Sequence, residues 1–562
     1  MDKRTILAVV LSLAVLLTYQ VFIAKPPAPP TPAATPSQQT AQATKEKEVV
    51  AKPAPAQKIA IAKKTSAKAV AAPQDVKVET AQYTAIFSTK GGALKSFRLK
   101  GYQKDCAECA DDIYPRIKNF ITGRNEQLPL KSKELIELVD LKEGMPYPLA
   151  ITFPESGVDI APDAIYETNT TKLDMVNAQE KQSLVFSQTY DDKIKVEKIF
   201  TFNPDNYTIS LDVKVSNLTD SPVNQIPKLS WQQYADPNQK EDSYGHDGPV
   251  ASVARSIERR TLKNLDKEKI YGPNVLWGGY ESKYFIAAFI PENPALTSII
   301  MNRDSSNMVS VSIKGQKELI PGGQNGSFSY TLYLGPKEQS LLKAHNVGLE
   351  DSIDFGSWLK WLAMPLLAVL NLIHKYIANY GVAIILLTLL IKIIFWPLGN
   401  MSYKSMKEMQ KLQPKMTELK EKYKNDKARL NQEIMTLYKT HKVNPFSGCL
   451  PMLIQIPIFF GLYKALLYSI ELRHSPFFWW IQDLSAKDPY YITPIIMGAT
   501  QFIQQKMTPT MGDPMQAKMM LFMPVIFTFF FLNFPSGLVI YWLFNNIFGI
   551  AQQFYINKKL AN

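Results

Sequence analysis

The run Gly381-Val-Ala-Ile-Ile-Leu-Leu-Thr-Leu-Leu-Ile-Lys-Ile-Ile-Phe-Trp-Pro-Leu398 is apolar enough to enter a bilayer, yet a charge, Lys392, interrupts it. A lysine at the centre of a span costs roughly 2.5–3.5 kcal/mol on insertion scales, so it survives mainly where it faces a bundle interior or a wet cavity. A second reading stays open. Lys392 lies four residues before Trp396-Pro397, an aromatic that can mark the interface, and the long lysine stem can snorkel to that level. Either way the chain is read as a membrane protein.

The remaining apolar runs are unevenly placed. Met1-Asp-Lys-Arg4 is a basic start, and Ile6 to Ala24 is a near-continuous apolar stretch of 19 residues. Phe22-Ile23-Ala24-Lys25-Pro26 offers no small-residue cleavage site, so residues 1–25 are read as an uncleaved signal anchor. Lys3 and Arg4 place its N-terminus in the cytoplasm. Residues 26–75 are rich in Pro, Ala, Lys, Thr and Gln with almost no aromatics. That composition cannot bury enough apolar surface to order itself, and it predicts a tether.

Residues 76–345 change to period two. Tyr207, Ile209, Leu211, Val213 and Val215 alternate with polar residues, as do Phe328, Tyr330, Leu332 and Leu334, while Met308, Val311 and Ile313 fit with a slip. Turn runs such as Asn203-Pro204-Asp205-Asn206 separate the strands. The pattern predicts a large antiparallel β-sandwich on the exported, periplasmic side. Cys106-Ala-Glu-Cys109 within it has three readings: a redox pair, half a zinc site, or a small loop disulfide. No second pair of ligands is close in sequence, and the oxidising compartment favours the disulfide. The domain carries no GxSxG, HExxH or phosphate-loop motif, so no catalytic constellation, cofactor or metal is assigned.

Residues 346–379 begin with Ile353, Phe355, Trp358, Leu359, Trp361 and Leu362 at helical spacing, predicting an amphipathic helix in the outer interface. Residues 380–398 form the second span. Residues 399–443 then predict a cytoplasmic helical hairpin. Between Met401 and Val443 there are 11 Lys or Arg against five Asp or Glu, and Met406, Met409, Leu412, Met416, Leu419 and Tyr423 form one apolar stripe. Asn425-Asp426 reads as the turn and helix cap. Lys404, Lys407, Lys411, Lys415, Lys420 and Lys422 lie on the polar side, as a solvated connector or as a docking face for phospholipid headgroups or ribosomal RNA. Four further spans fall within residues 444–557, and residues 558–562 form a short tail. The six spans return the C-terminus to the cytoplasm, in keeping with Lys558 and Lys559. Spans near Tyr491–Gln505 and Met519–Phe534 are short for a full crossing. Thr388, Gln455, Tyr463, Gln501, Gln504, Asn533, Tyr541, Asn545 and Asn546 recur within the spans, as glue between helices or as one wet lining.

Asn444-Pro445-Phe-Ser-Gly448-Cys449-Leu450-Pro451-Met-Leu-Ile-Gln455-Ile-Pro457, Asp488-Pro489-Tyr490-Tyr491-Ile-Thr-Pro494, Gln505-Lys506-Met507-Thr-Pro509, Phe522-Met523-Pro524 and Phe534-Pro535-Ser536-Gly537-Leu538 resemble the signature runs of the YidC membrane protein insertases. The resemblance is close over about 381–553 and extends to the anchor, tether and sandwich in architecture, the Gram-negative bacterial form. It implies a polytopic α-helical protein of six spans with a five-helix insertase core, held in the inner membrane. It also implies a non-enzymatic function, inserting and helping to fold membrane proteins alone or with the Sec translocon. By the same resemblance, a hydrophilic groove open to the cytoplasm carries a positive charge, which falls on Lys392 where the bacterial pattern usually has arginine. Thr388, Gln455 and Tyr541 match polar groove positions, and Trp542 stands where tyrosine is often found. Nascent membrane proteins, the Sec translocon, phospholipids and, weakly through so short a tail, the ribosome are the implied partners. Two other classes compete. A transporter would show related halves, and none is visible. A carbohydrate-binding sandwich on a plain anchor would not need polar residues in several spans.

Overall fold

In this computed structural model the described residues are 72–559, apart from 107–108, 110–132, 155–159, 238–244, 266, 357, 442, 444–449 and 509–513. The expected signal anchor and nearly all of the tether fall outside them, as do Asn444–Cys449, Pro509 and the last three residues.

The period-two region forms a sandwich of sheets. Nine strands make the largest sheet, with Thr208–Asn217 at its heart between Ile194–Phe202 and Asn325–Pro336. Ile209, Leu211, Val213 and Val215 are fully buried, and Ile194, Val196, Phe200 and Phe202 lie inward on the neighbouring strand. Alternation therefore selects the buried face, because consecutive side chains leave a strand on opposite sides. Phe87, from a five-stranded sheet, packs its ring against Phe186, Phe200 and Phe202, with centroids 6.2, 4.8 and 5.7 Å away. The slip near Met308 resolves as a change of phase: Val309, Val311 and Ile313 are buried, and Met308 is half-exposed.

Two details correct the sequence expectation. The ordered domain begins with the strand Asp75–Glu79, at the last residue assigned to the tether. That strand also pairs parallel with Lys172–Asp174, so the sandwich is predominantly rather than wholly antiparallel. A period-two pattern specifies faces but carries no information on the direction of a partner strand.

Ten helices of the described residues follow: α1 Gln339–Lys343, α2 Lys360–Tyr376, α3 Tyr380–Ile394, α4 Trp396–Lys411, α5 Gln413–Lys422, α6 Lys427–Thr440, α7 Leu450–Tyr468, α8 Ile492–Met507, α9 Pro514–Phe531 and α10 Ser536–Lys559. α10 packs against α3 and α8, α8 against α9, and α2 against α3 and α7. At Gly498 a Cβ would collide with the Thr528 hydroxyl, so glycine is what lets α8 and α9 approach.

The second span does not run straight from 380 to 398. It ends at Ile394, and α4 starts at Trp396 after a bend of 63°. Pro397, at the head of α4, lacks a backbone donor and disfavours helical geometry in the residue before it, so the chain restarts there. Among the described residues no single helix is long and apolar enough to cross a membrane; α3 and α4 meet that test only together, and Ile454–Tyr468 and Met519–Phe531 are shorter apolar stretches. The helical half of the described residues is thus built from shorter, broken apolar elements.

Candidate functional site

Each candidate side chain is placed by an identifiable local cause. The side chain of Asn379 accepts from the Val382 amide at 3.0 Å and caps α3. The helix then carries Thr388 and Lys392 one turn apart on one face. Thr388 is buried, and its hydroxyl donates back to the Ile384 carbonyl at 2.6 Å. Its polarity is therefore largely satisfied within its own helix. Lys392 lies half-buried one turn before the bend, and no hydrogen-bond or ion-pair partner meets its amine among the described residues.

A second group forms where α7 meets α10. The Gln455 side-chain amide donates to Asn545 Oδ1 at 2.8 Å. Tyr541, one turn earlier on α10, is buried; its hydroxyl makes no hydrogen bond of ordinary geometry, although the Gln455 amide is close by. Trp542 is set differently. Its ring packs among Phe459, Phe531 and Phe527, with centroids 4.8, 5.4 and 6.3 Å away. Its indole N–H is buried with no acceptor among the described residues. Gln455, Tyr541 and Trp542 are thus brought together, while Thr388 and Lys392 form a separate pair on α3, which packs on α10.

Sequence reasoning named Asn546 and Gln501 within the spans but passed over Gln552 and Gln553. Gln552 donates to the Trp396 carbonyl at 3.1 Å and to Asn400 at 3.2 Å, tying α10 to the start of α4. Gln553 donates to the Met507 carbonyl at 2.7 Å, and Asn546 reaches Met497 and Thr500 on α8. The step along α10 from 545–546 to 552–553 is the signal that could have found Gln552 and Gln553. Gln501, Gln505, Tyr541, Trp542 and Gln553 each bury a polar atom with no hydrogen-bond partner among the described residues. Such atoms are costly in hydrocarbon, about 1–3 kcal/mol each, so an apolar filling does not explain them. Lys464 on α7 was also passed over; its amine lies 4.0 Å from Asp354 and over the Tyr468 ring at 4.9 Å.

The signature runs have structural causes. Asp488 is fully buried and accepts from the Thr493 amide at 2.7 Å, the Thr493 hydroxyl, the Tyr490 amide at 2.9 Å and the Trp480 indole at 3.1 Å, fixing the start of α8. Ser536 and Gly537 bond to the carbonyls of Ala486 and Leu484 at 2.7 and 2.9 Å, anchoring the start of α10 on the same segment.

The hairpin folds back on itself. Asp426 caps α6 through the Arg429 amide at 3.0 Å. Met409, Leu412 and Val443 form a small core with Leu437 and Tyr438 against it. Lys404, Lys411, Lys415 and Lys422 are exposed, and Lys407 and Lys420 half-buried. In the loop of the sandwich, Cys106 and Cys109 are joined in a disulfide.

The chain matches the family described as 60Kd inner membrane protein over residues 372–562 and the one described as YidC periplasmic domain over residues 127–369. It is 58% identical, across the whole of both chains, to the membrane protein insertase YidC of Syntrophus aciditrophicus (strain SB). It is 43% identical, again across both chains, to that of Citrifermentans bemidjiense. A solved structure described as an active YidC insertase with its first transmembrane domain resolved aligns over 86% of this chain and 92% of that chain, at 22% identity and a TM-score of 0.36.

Proposed function

The chain belongs to the YidC family of membrane protein insertases, and we propose that it receives nascent membrane proteins at a polar groove whose charge is Lys392. It is an inner-membrane insertase with a periplasmic domain, and the family's work is insertion rather than enzymatic catalysis. The observation that carries the groove is the open state of Lys392: a half-buried amine on an apolar helix with no anionic partner among the described residues. An acidic or polar part of an incoming segment supplies the missing partner. Gln455, Tyr541 and the unpartnered polar atoms of α8 and α10 lower the cost of dehydrating the rest of that segment, which is several kcal/mol per unsatisfied group in hydrocarbon. Trp542 serves as an aromatic wall. Lysine supplies charge without the bidentate fork of arginine, so selection is by charge more than by carboxylate geometry.

Both termini lie in the cytoplasm in this reading, and the sandwich in the periplasm. The broken, short helices suit a locally thinned bilayer. The exposed lysines of α4 and α5 face phospholipid headgroups or the ribosome, with the Sec translocon as a further partner.

Photocrosslinking tests the groove. Probes at 392, 455 and 541 should capture a ribosome-stalled single-span chain, and a probe at the exposed neighbour Ile393 should not. Lys392→Arg should retain insertion, whereas Lys392→Glu should impair substrates with acidic exported tails. Silence at all three positions in a folded protein, or equal insertion by both variants, would refute the groove.

A further inference from the structure

The Cys106–Cys109 pair lacks a second set of zinc ligands in its own stretch of sequence, but the fold brings one to it. Both sulfur atoms and a carboxylate oxygen of Asp483 lie within 4.8 Å of one another, although more than 370 residues separate them along the chain. Asp483 comes from the segment joining α7 to α8 and is buried. Its Oδ1 accepts from the His474 amide at 3.1 Å and from the amide and hydroxyl of Ser485 at 2.8 and 2.7 Å. That fixes the carboxylate and leaves Oδ2 turned toward the His474 ring, whose Nε2 lies 3.9 Å away.

We propose that the reduced form of this cluster is a Zn²⁺ site, with Cys106 Sγ, Cys109 Sγ, Asp483 Oδ2 and His474 Nε2 as the four ligands. The donor set is two thiolates, one carboxylate and one imidazole, which suits a tetrahedral borderline-soft cation. Zinc bonds of about 2.0–2.3 Å set tetrahedral ligand atoms about 3.3–3.8 Å apart. Three of the four atoms are already grouped; the His474 ring, 3.9 Å from Asp483 Oδ2 but outside that grouping, has to swing in to complete the set. Arg473 opposes a cation in principle. Its Nη2 is committed to the carbonyls of Gln103 and Lys104 at 2.6 and 2.9 Å, and Asp105 and Asp483 offset its charge.

The disulfide and the metal exclude each other. A dithiol reductant gives two electrons and two protons to the S–S bond, becoming a disulfide itself and leaving two thiols. Zn²⁺ then displaces the two thiol protons to form two Zn–S bonds. In the oxidised state the sandwich loop is tied to the α7–α8 segment through Arg473; in the metal state a coordinate bridge adds to that tie.

The test uses the full chain in detergent, reduced, freed of metal under anaerobic conditions and titrated with Co²⁺ and then Zn²⁺. One equivalent of Co²⁺ should produce sulfur-to-metal charge-transfer absorption with tetrahedral ligand-field bands, and Zn²⁺ should displace it. The oxidised chain should give neither. Asp483→Asn keeps the Oδ1 bonds, and His474→Asn tolerates the left-handed backbone at 474; each should weaken binding at least tenfold. X-ray absorption of the zinc-loaded unmodified chain should count two sulfur and two nitrogen or oxygen neighbours, a readout that needs no variant. Absent charge-transfer bands, bands untouched by both substitutions, or a different ligand count would overturn the site.

Discussion

The sandwich and the helical half both withdraw lysine amines from solvent, and they treat them differently. In the sandwich, Lys198 is fully buried and its amine donates to the carbonyls of Gly91, Gly92 and Leu149 at 2.7, 3.3 and 3.4 Å. Lys337 lies 2.6 Å from Glu281, which also holds Arg259 at 2.8 Å, and Arg259 reaches on to the carbonyl of Ser352. In the helical half Lys464 has Asp354, but the half-buried Lys392 has no such partner among the described residues. A charge that stabilises a fold is met by that fold. One left open inside apolar surroundings is costly to the fold and useful only to something that arrives from outside.

The sharpest way to break this contrast is to remove Glu281. Glu281→Ala leaves two cations facing each other in the sandwich interior, and loss of one partner from a buried pair costs about 3–5 kcal/mol. Thermal unfolding followed by near-UV circular dichroism should show a large drop in midpoint. A shift of only a degree or two would mean that the cluster is solvated and that the sandwich tolerates open charge as well.

Lys198 gives a graded version. Burial lowers its pKa from 10.5 to about 7. Between those values the unfolded chain holds a proton that the folded chain has released, so stability rises with pH across that window, by at most about 1.4 kcal/mol per pH unit. Below pH 7 both states are protonated and this contribution is flat. Lys198→Met should remove the rise. Denaturation midpoints of both proteins from pH 6 to pH 10 give the comparison, and parallel curves would show that Lys198 keeps its ordinary affinity for protons.

The two halves also differed in how legible they were. The alternation at 207–215 named the inward residues of a central strand outright, because period two and one-sided burial determine each other. The parallel pairing of Asp75–Glu79 with Lys172–Asp174 could not be read, since register across some ninety residues is settled by tertiary packing. In the helical half Lys392 stood out because a charge in an apolar run is conspicuous. The break at Phe395 was written in Trp396-Pro397, but it was read as an interface marker. Gln552 and Gln553 escaped because they lie near the polar end of the last helix, where composition no longer contrasts. The juxtaposition of Asp483 and His474 with the CxxC pair is invisible to any local pattern.

The smallest expected change in stability belongs to Lys392, and there the comparison becomes most specific. Lys392→Leu removes a half-buried charge that no anion among the described residues compensates, so the melting midpoint should hold or rise slightly, in contrast to Glu281→Ala. Insertion of a single-span substrate with an acidic exported tail should nonetheless fall about tenfold, since about 1.4 kcal/mol of attraction is lost. A substrate with a neutral tail should be nearly unaffected. Should Lys392→Leu unfold as readily as Glu281→Ala, the amine has a structural partner after all, and the groove would have to be drawn around Gln455 and Tyr541 alone. A stable variant that inserts both substrates normally would instead make Lys392 a snorkelling residue, its stem in lipid and its charge at the interface marked by Trp396.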